Sequence, residues 1–314
     1  MGEQIGAVIV AYNPEIESFK CSINIALTQV DKLVVVNNGE RSLQSLFSFL
    51  TPDKAINFQI IENVENLGMA VALNQGISFL IDKKCRYFLF LDQDSCIPDG
   101  MILSLQNTFK KLRLNNVNIA AIGPSFFDLT IQKTSPFIRF SKCSLDLDFG
   151  SSHDPLVFTH LLITSGTFTS LDVINKVGLM NEGFFIDNVD NEWCLRALSK
   201  GYKLIGDFSI SMNHAIGGDP LILLNKKYHN HSPLRHYYFV RNSVHLFKSS
   251  YIPYHWRINI LLIAIKLFIF YCLVSDERIN NFFMMSKGFI DGTKGKFGRY
   301  DLSTKKQLST PKVL

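Results

Sequence analysis

Paired cysteines are missing from this chain of 314 residues. Its six cysteines (Cys21, Cys85, Cys96, Cys143, Cys194 and Cys272) are scattered, with no C-x-x-C among them. Neither a zinc site nor a disulfide framework is implied, and a reducing compartment is expected. The opening Met1-Gly-Glu-Gln-Ile-Gly6 lacks a basic segment followed by an apolar stretch, so no secretory signal is expected. Internal repeats and low-complexity linkers are absent too, which argues against solenoids and tethered arrays. Long apolar runs are scarce. The one that stands out, Ile258 to Val274, carries Lys266 and is short for a bilayer span.

What is present is a 47% hydrophobic composition, enough for a sizeable core plus an appendage. The net charge of +5 hides an asymmetry. Residues 1–225 hold 17 Lys/Arg and 23 Asp/Glu, whereas residues 226–314 hold 15 and 4, a net of +11. An acidic body with a basic end suits an anionic surface or a phosphate-bearing partner, with an ordinary solvated basic face as the alternative. Asn259 and Lys266, seven apart, share one face of the helix expected over 258–274. A helix lying in a membrane interface is favoured there over a core or oligomer helix, giving a peripheral membrane surface. No nucleic-acid partner is expected.

Continuous apolar runs predict buried strands at 7–11, 33–36, 58–61 and 87–91, and further strands at 119–122 and 159–164. Helices are predicted around 15–28 and over 69–82, with an irregular or antiparallel excursion at 125–158. Strands alternating with helices predict an α/β fold, doubly wound around a mostly parallel sheet, with no separate domain before about residue 220.

The most informative segment is Phe88-Leu-Phe-Leu-Asp92-Gln93-Asp94-Ser95. Two carboxylates one residue apart at a strand end project together at the carboxyl edge of the sheet, where open α/β folds bind ligands. They suit a hard divalent cation carrying phosphate oxygens; a plain polar turn is the alternative. Other strand-end turns join them. Ala11-Tyr12-Asn13-Pro14-Glu15 offers Tyr12 to a base or ribose and Asn13 for polar contact. Asn37-Asn38-Gly39 ends the second strand. Gly68, Ala70 and Ala72, ahead of Asn74, permit close approach of a helix start to a phosphate. Farther on, Asp187, Asp190 and Glu192 open a helix with Trp193 and Arg196; an acid held in a cleft there is the group a general base requires. His214, ahead of Gly217-Gly218, is a further candidate metal ligand.

These constellations in this order resemble the inverting family 2 glycosyltransferases of the GT-A fold. The Leu91-Asp-Gln-Asp-Ser95 form, with Pro233-Leu-Arg235-His-Tyr-Tyr238-Phe-Val-Arg241-Asn242 and Gly288-Phe-Ile-Asp-Gly292, is similar to the bacterial rhamnosyltransferase branch. The resemblance spans roughly residues 5–295. It implies a GT-A nucleotide-sugar-binding domain at 1–225 and a basic, helical, membrane-associating region at 226–314. A nucleotide-sugar donor would bind at Ala11, Tyr12, Asn13, Glu15, Asn37, Asn38, Gly68, Asn74, Asp92, Gln93 and Asp94. Asp94 would hold Mg²⁺ or Mn²⁺ directly, with His214 as a further ligand. Asp190 would be the base, with Asp187, Glu192, Trp193 and Arg196 on the acceptor side. Arg235, Tyr238 and Arg241 are phosphate candidates.

Two departures stand out within this resemblance. Val189 replaces the first acid of the family's Glu-Asp pair, so Asp187 and Glu192 stand as sharers of Asp190's duties. Asn37 stands where many relatives carry Asp, leaving base selectivity open. The implied reaction moves L-rhamnose from dTDP-β-L-rhamnose onto a polyprenyl-pyrophosphate-linked glycan at the cytoplasmic face of the bacterial inner membrane, for O-antigen or other surface polysaccharide. The rivals are a haloacid-dehalogenase-like phosphotransferase with Asp92 as nucleophile, and an inactive GT-A scaffold.

Overall fold

The computed structural model describes residues 3–129, 132–142, 144–151, 153–214, 221–223 and 226–301. The first strand, β1 (Ile5–Ala11), is buried along its whole length, as expected of a strand covered on both faces. It lies parallel to β2 (Lys32–Asn37) on one side and to β4 (Tyr87–Asp92) on the other, with β3 (Phe58–Glu62) at the edge. The crossovers are α1 (Ile16–Leu27), the short α2 (Pro52–Ala55) and α3 (Met69–Asp82). Small residues set the helix-to-sheet distance. A Cβ on Gly76 would lie 2.4 Å from Val8 Cγ1, so only glycine lets α3 sit this close to β1.

Beyond α4 (Met101–Leu114) the sheet continues with β5 (Ile119–Asp128). The excursion that follows is antiparallel. It comprises β6 (Lys133–Ser135) on β5, the hairpin β7 (Phe137–Phe140) and β8 (Leu145–Asp148), and β9 (Leu156–Thr159). The strand expected at 159–164 therefore lies earlier and ends at Thr159. That residue's hydroxyl donates to Ile138 and Leu161 carbonyls (2.9 Å each), turning the chain out of the sheet. Next, β10 (Phe168–Ser170) inserts antiparallel between β4 and β5. After α5 (Leu171–Val177) and α6 (Val189–Ser199), β11 (Lys203–His214) pairs parallel with β5. The sheet order is β3-β2-β1-β4-β10-β5-β11-β9, mostly parallel.

A small hairpin, β12 (Leu221–Leu223) and β13 (Lys226–Tyr228), leads into α7 (Pro233–Lys248), α8 (Tyr254–Val274) and α9 (Arg278–Thr293). Leu246, Ile252 and Ile260 join the main core, so these helices pack onto the sheet domain. Asn259 and Lys266 share one face of α8, as expected, but in different surroundings. Asn259 is buried and donates to the Ser141 carbonyl (3.2 Å), while Lys266 is exposed, because the sheet domain shields only the start of α8 on that side.

Candidate active site

Strand register builds the first wall of the cleft. Val10 of β1 pairs with Asp92 of β4, so the two strand ends lie side by side. The Tyr12 backbone N–H then donates to Gln93 Oε1 at 2.7 Å, locking the two loops together. Behind them the Asp92 N–H donates to Ser95 Oγ (3.1 Å), and the buried Ser95 and Ser165 hydroxyls bond each other. This turn projects Asp94 outward. Among the described residues, the exposed Asp94 carboxylate has no hydrogen bond or ion pair.

The opposite wall is the start of α6. Asp187 and Asn188 are successive non-glycine residues in the left-handed region, at φ 61° and 60°. Such strain persists only where neighbours hold it. Asn242 does so, its amide donating to the Ile186 and Asp187 carbonyls at 2.8 Å each, and Asn188 donates back to Phe239 O and Ser243 Oγ at 3.3 Å. A cavity of about 550 Å³ lies between the walls, lined by Tyr12, Asp92, Gln93 and Asp94 on one side and by Asp187, Asp190 and Arg235 on the other.

The two acids of the second wall differ in their partners. Arg235, in the first turn of α7, donates to Asp187 Oδ1 at 3.0 Å. Asp190 Oδ2 accepts the Thr164 N–H (3.1 Å) and Oδ1 accepts the Asn191 N–H (2.8 Å), with no ion-pair partner among the described residues. Burial pushes the Asp190 carboxyl above the usual carboxylate range, against the pull of those two backbone N–H groups. Burial also raises Asp187, with Arg235 opposing it.

Residues 7–171 match the profile of glycosyl transferase family 2. The chain is 33% identical over 257 residues to dTDP-rhamnosyl transferase RfbF of Shigella flexneri, covering 81% of this chain and 83% of that protein. The chain belongs to glycosyl transferase family 2. It is a glycosyltransferase, and the phosphotransferase and inactive-scaffold readings are set aside. Its fold is similar to that of GalNAc-T7, solved with UDP, GalNAc and Mn²⁺, at a TM-score of 0.58 and 11% identity. That match covers 98% of this chain, which spans 58% of the other. The GT-A architecture follows.

Within this glycosyltransferase several residues expected to bind ligand make bonds within the protein. Ala11 is buried in β1, and Asn13 sits at a positive-φ turn (48°) outside the cavity lining. Glu15 caps α1, accepting the Glu17 and Ser18 N–H groups. The Asn37 amide donates to the Arg41 carbonyl and to Glu62, and its oxygen accepts the Gly39 N–H, so it faces the neighbouring strand. Asn38 donates to the Gly68 carbonyl and accepts from Asn63. Gly68 closely approaches Phe185: a Cβ there would lie 2.6 Å from the Phe185 carbonyl oxygen, at a φ of +89°. Asn74 exchanges hydrogen bonds with the Met180 backbone and donates to Glu182.

Glu192, Trp193 and Arg196, expected on the acceptor side, lie outside the cavity lining. Successive helix positions turn by about 100°, so Glu192 points away from Asp190. It is buried, bonded to Arg196 (2.8 Å) and to the Tyr251 hydroxyl (2.8 Å). Arg196 also donates to the Val177 and Leu179 carbonyls, and the buried Trp193 indole donates to the Gly178 carbonyl. Tyr238 and Arg241 also bond within the protein. The Tyr238 hydroxyl accepts the Tyr300 N–H, and buried Arg241 donates to the Gly298 and Gly183 carbonyls. The His214 side chain and the Gly217-Gly218 turn lie outside the described residues.

Thr164, Asn188 and Asn191 line the cavity without having been singled out in the sequence, while Asn242 was quoted in the Pro233–Asn242 motif with no role given to it. As for a cation, no group of three His, Cys, Asp or Glu gathers among the described residues. An uncommitted carboxylate at Asp94 beside Asp92 nevertheless fits Mg²⁺ or Mn²⁺, which take one or two carboxylates and complete their shell with phosphate oxygens and water.

Proposed function

We propose that this glycosyltransferase moves L-rhamnose from dTDP-β-L-rhamnose, with inversion, onto a polyprenyl-pyrophosphate-linked glycan at the cytoplasmic face of the inner membrane. The donor reading is supported by the 33% identity to a dTDP-rhamnosyl transferase over most of both chains. The mechanistic reading rests on one observation: a half-buried Asp190, with no ion-pair partner among the described residues, stands across the cavity from Asp92 and Asp94. Asp92 and Asp94 would hold Mg²⁺ or Mn²⁺, which supplies charge neutralisation for a departing diphosphate. Tyr12 and Gln93 border the donor wall. Asp190, held by the Thr164 N–H, takes the proton of the acceptor hydroxyl as that oxygen attacks the anomeric carbon from the opposite face. The raised carboxyl makes Asp190 a stronger base than an exposed aspartate.

The experiment is a panel of dTDP- and UDP-sugars with Mg²⁺, Mn²⁺ or EDTA. Release of dTDP from dTDP-rhamnose alone, with an α-linked product by NMR, is the expected result. Preference for another donor, or a retained anomeric configuration, overturns the reading.

A further inference from the structure

The last two helices carry an apolar surface that the protein itself leaves uncovered. On α8, Leu262, Ile265, Ile269 and Leu273 recur at helical spacing and are exposed, Leu273 to 68%. On α9, Ile279, Phe282, Phe283, Phe289 and Ile290 do the same, with Ile279 at 72% and Phe283 at 64%. The Phe268 and Phe282 rings meet at 5.8 Å, joining the two stripes into one face. Scattered exposed hydrophobic residues are ordinary, but a contiguous face of this kind marks an interaction surface.

The helices themselves indicate the occupant. The most apolar window of α8 has a mean hydropathy of 2.1, and only 22% of that window is buried. An oligomer contact would cover one stripe of such a helix, whereas lipid accepts every face the protein leaves bare. Exposed Lys266, Lys294 and Lys296 lie on or beside these helices, in a region of net charge +11. Charge complementarity therefore favours anionic headgroups.

Orientation follows from how α8 is pinned. Near its start the Trp256 ring packs on His160 (4.2 Å) and Asn259 bonds the Ser141 carbonyl. Near its end the Tyr271 hydroxyl donates to the His229 carbonyl (2.9 Å), and its ring stacks on His236 (3.9 Å). From Asn259 to Tyr271 the axis runs about 18 Å along the body of the enzyme. A helix held at both ends cannot cross a bilayer without drawing the sheet domain into hydrocarbon. We infer that α8 and the outer face of α9 lie in the plane of an anionic phospholipid bilayer, immersed at the headgroup boundary, without spanning it. The inference does not depend on the identity of donor or acceptor.

The test is flotation of the full chain with phosphatidylglycerol-containing vesicles. Binding should fall on the order of tenfold or more in Ile269→Glu/Phe283→Glu, with nucleotide-sugar hydrolysis unchanged as the folding control. If that variant fails to fold, single Leu262→Trp and Leu273→Trp chains keep the question open to measurement. Lipids brominated near the headgroup should quench both alike. Absence of wild-type flotation overturns the inference, as does a deep position for one tryptophan and a shallow one for the other. A dimer in solution that the Glu variant dissociates, without vesicle binding, assigns the face to a second copy and also overturns it.

Discussion

Arg235 Nε lies 3.0 Å from Asp187 Oδ1, so α7 gives a counter-charge to one acid of the cleft wall and leaves Asp190 without one. Two carboxylates three residues apart thereby acquire different characters, a division that separates a binding group from a base. Asp190→Asn is expected to lower turnover by roughly 10²–10⁴-fold with donor KM little changed, because it keeps shape and loses the proton acceptor. Asp187→Asn should fall far less. Steady-state kinetics on both variants decides; a larger loss at Asp187 would sink the assignment.

Activity against pH should carry the same signature. A base must be unprotonated, so the rate falls as pH drops through its pKa. Burial raises that of Asp190, placing the acid limb of kcat/KM above the ordinary aspartate range. A pH profile with its acid limb at the ordinary aspartate position would contradict this.

Asp94→Ala should abolish transfer while leaving thermal stability within about 0.5 kcal/mol, since the wild-type carboxylate is exposed and makes no bond within the described protein. EDTA should act on the wild type as the substitution does, with restoration by Mg²⁺ or Mn²⁺. Full turnover in excess chelator would remove the cation from the mechanism.

Gly68→Ala tests the link between the walls. Its φ of +89° and a Cβ 2.6 Å from the Phe185 carbonyl oxygen force the 185–190 segment to move. A misplacement of about 1 Å can cost on the order of 10²-fold in rate. The variant should therefore lose more activity than its melting temperature suggests, measurable by kinetics alongside calorimetry.

Acid should loosen the contact between α8 and the sheet domain. Burial and Arg139 push His160 down to about 4 from 6.5, and the Phe140 N–H donates to its Nδ1 at 2.7 Å. The unfolded chain binds a proton there that the folded chain refuses between those values. Stability is thus full above pH 6.5 and declines as pH falls towards 4. Denaturation curves of the wild type and His160→Asn should converge across that window.

Much of this architecture was legible in local patterns. Continuous apolar runs at Ala7–Ala11, Leu33–Val36 and Phe88–Leu91 declare strands covered on both faces, and each ends in the polar turn that a parallel sheet gathers at one edge. Asp92, Gln93 and Asp94 owed their place to that rule alone. The strand predicted at 159–164 fails beyond Thr159 because Thr-His-Leu-Leu-Ile-Thr, apolar and β-branched, has a composition that a sheet edge and a loop share. Glu192 was separable from Asp190 by helical turn angle, a signal present in the sequence and outweighed by its acidity.

What the chain determines by itself is therefore the periodic part: element order, the doubly wound class, the strand-end carboxylates and the basic apolar end. Those follow from near-neighbour spacing and from which side chains water rejects. Tertiary structure alone decided which polar groups remain free. Asn37 is claimed by Glu62, Asn74 by Met180 and Arg241 by Gly298, partners 25, 106 and 57 residues away. A hydrogen bond is satisfied by whatever donor or acceptor the fold brings within about 3 Å, and sequence distance leaves no trace of that meeting.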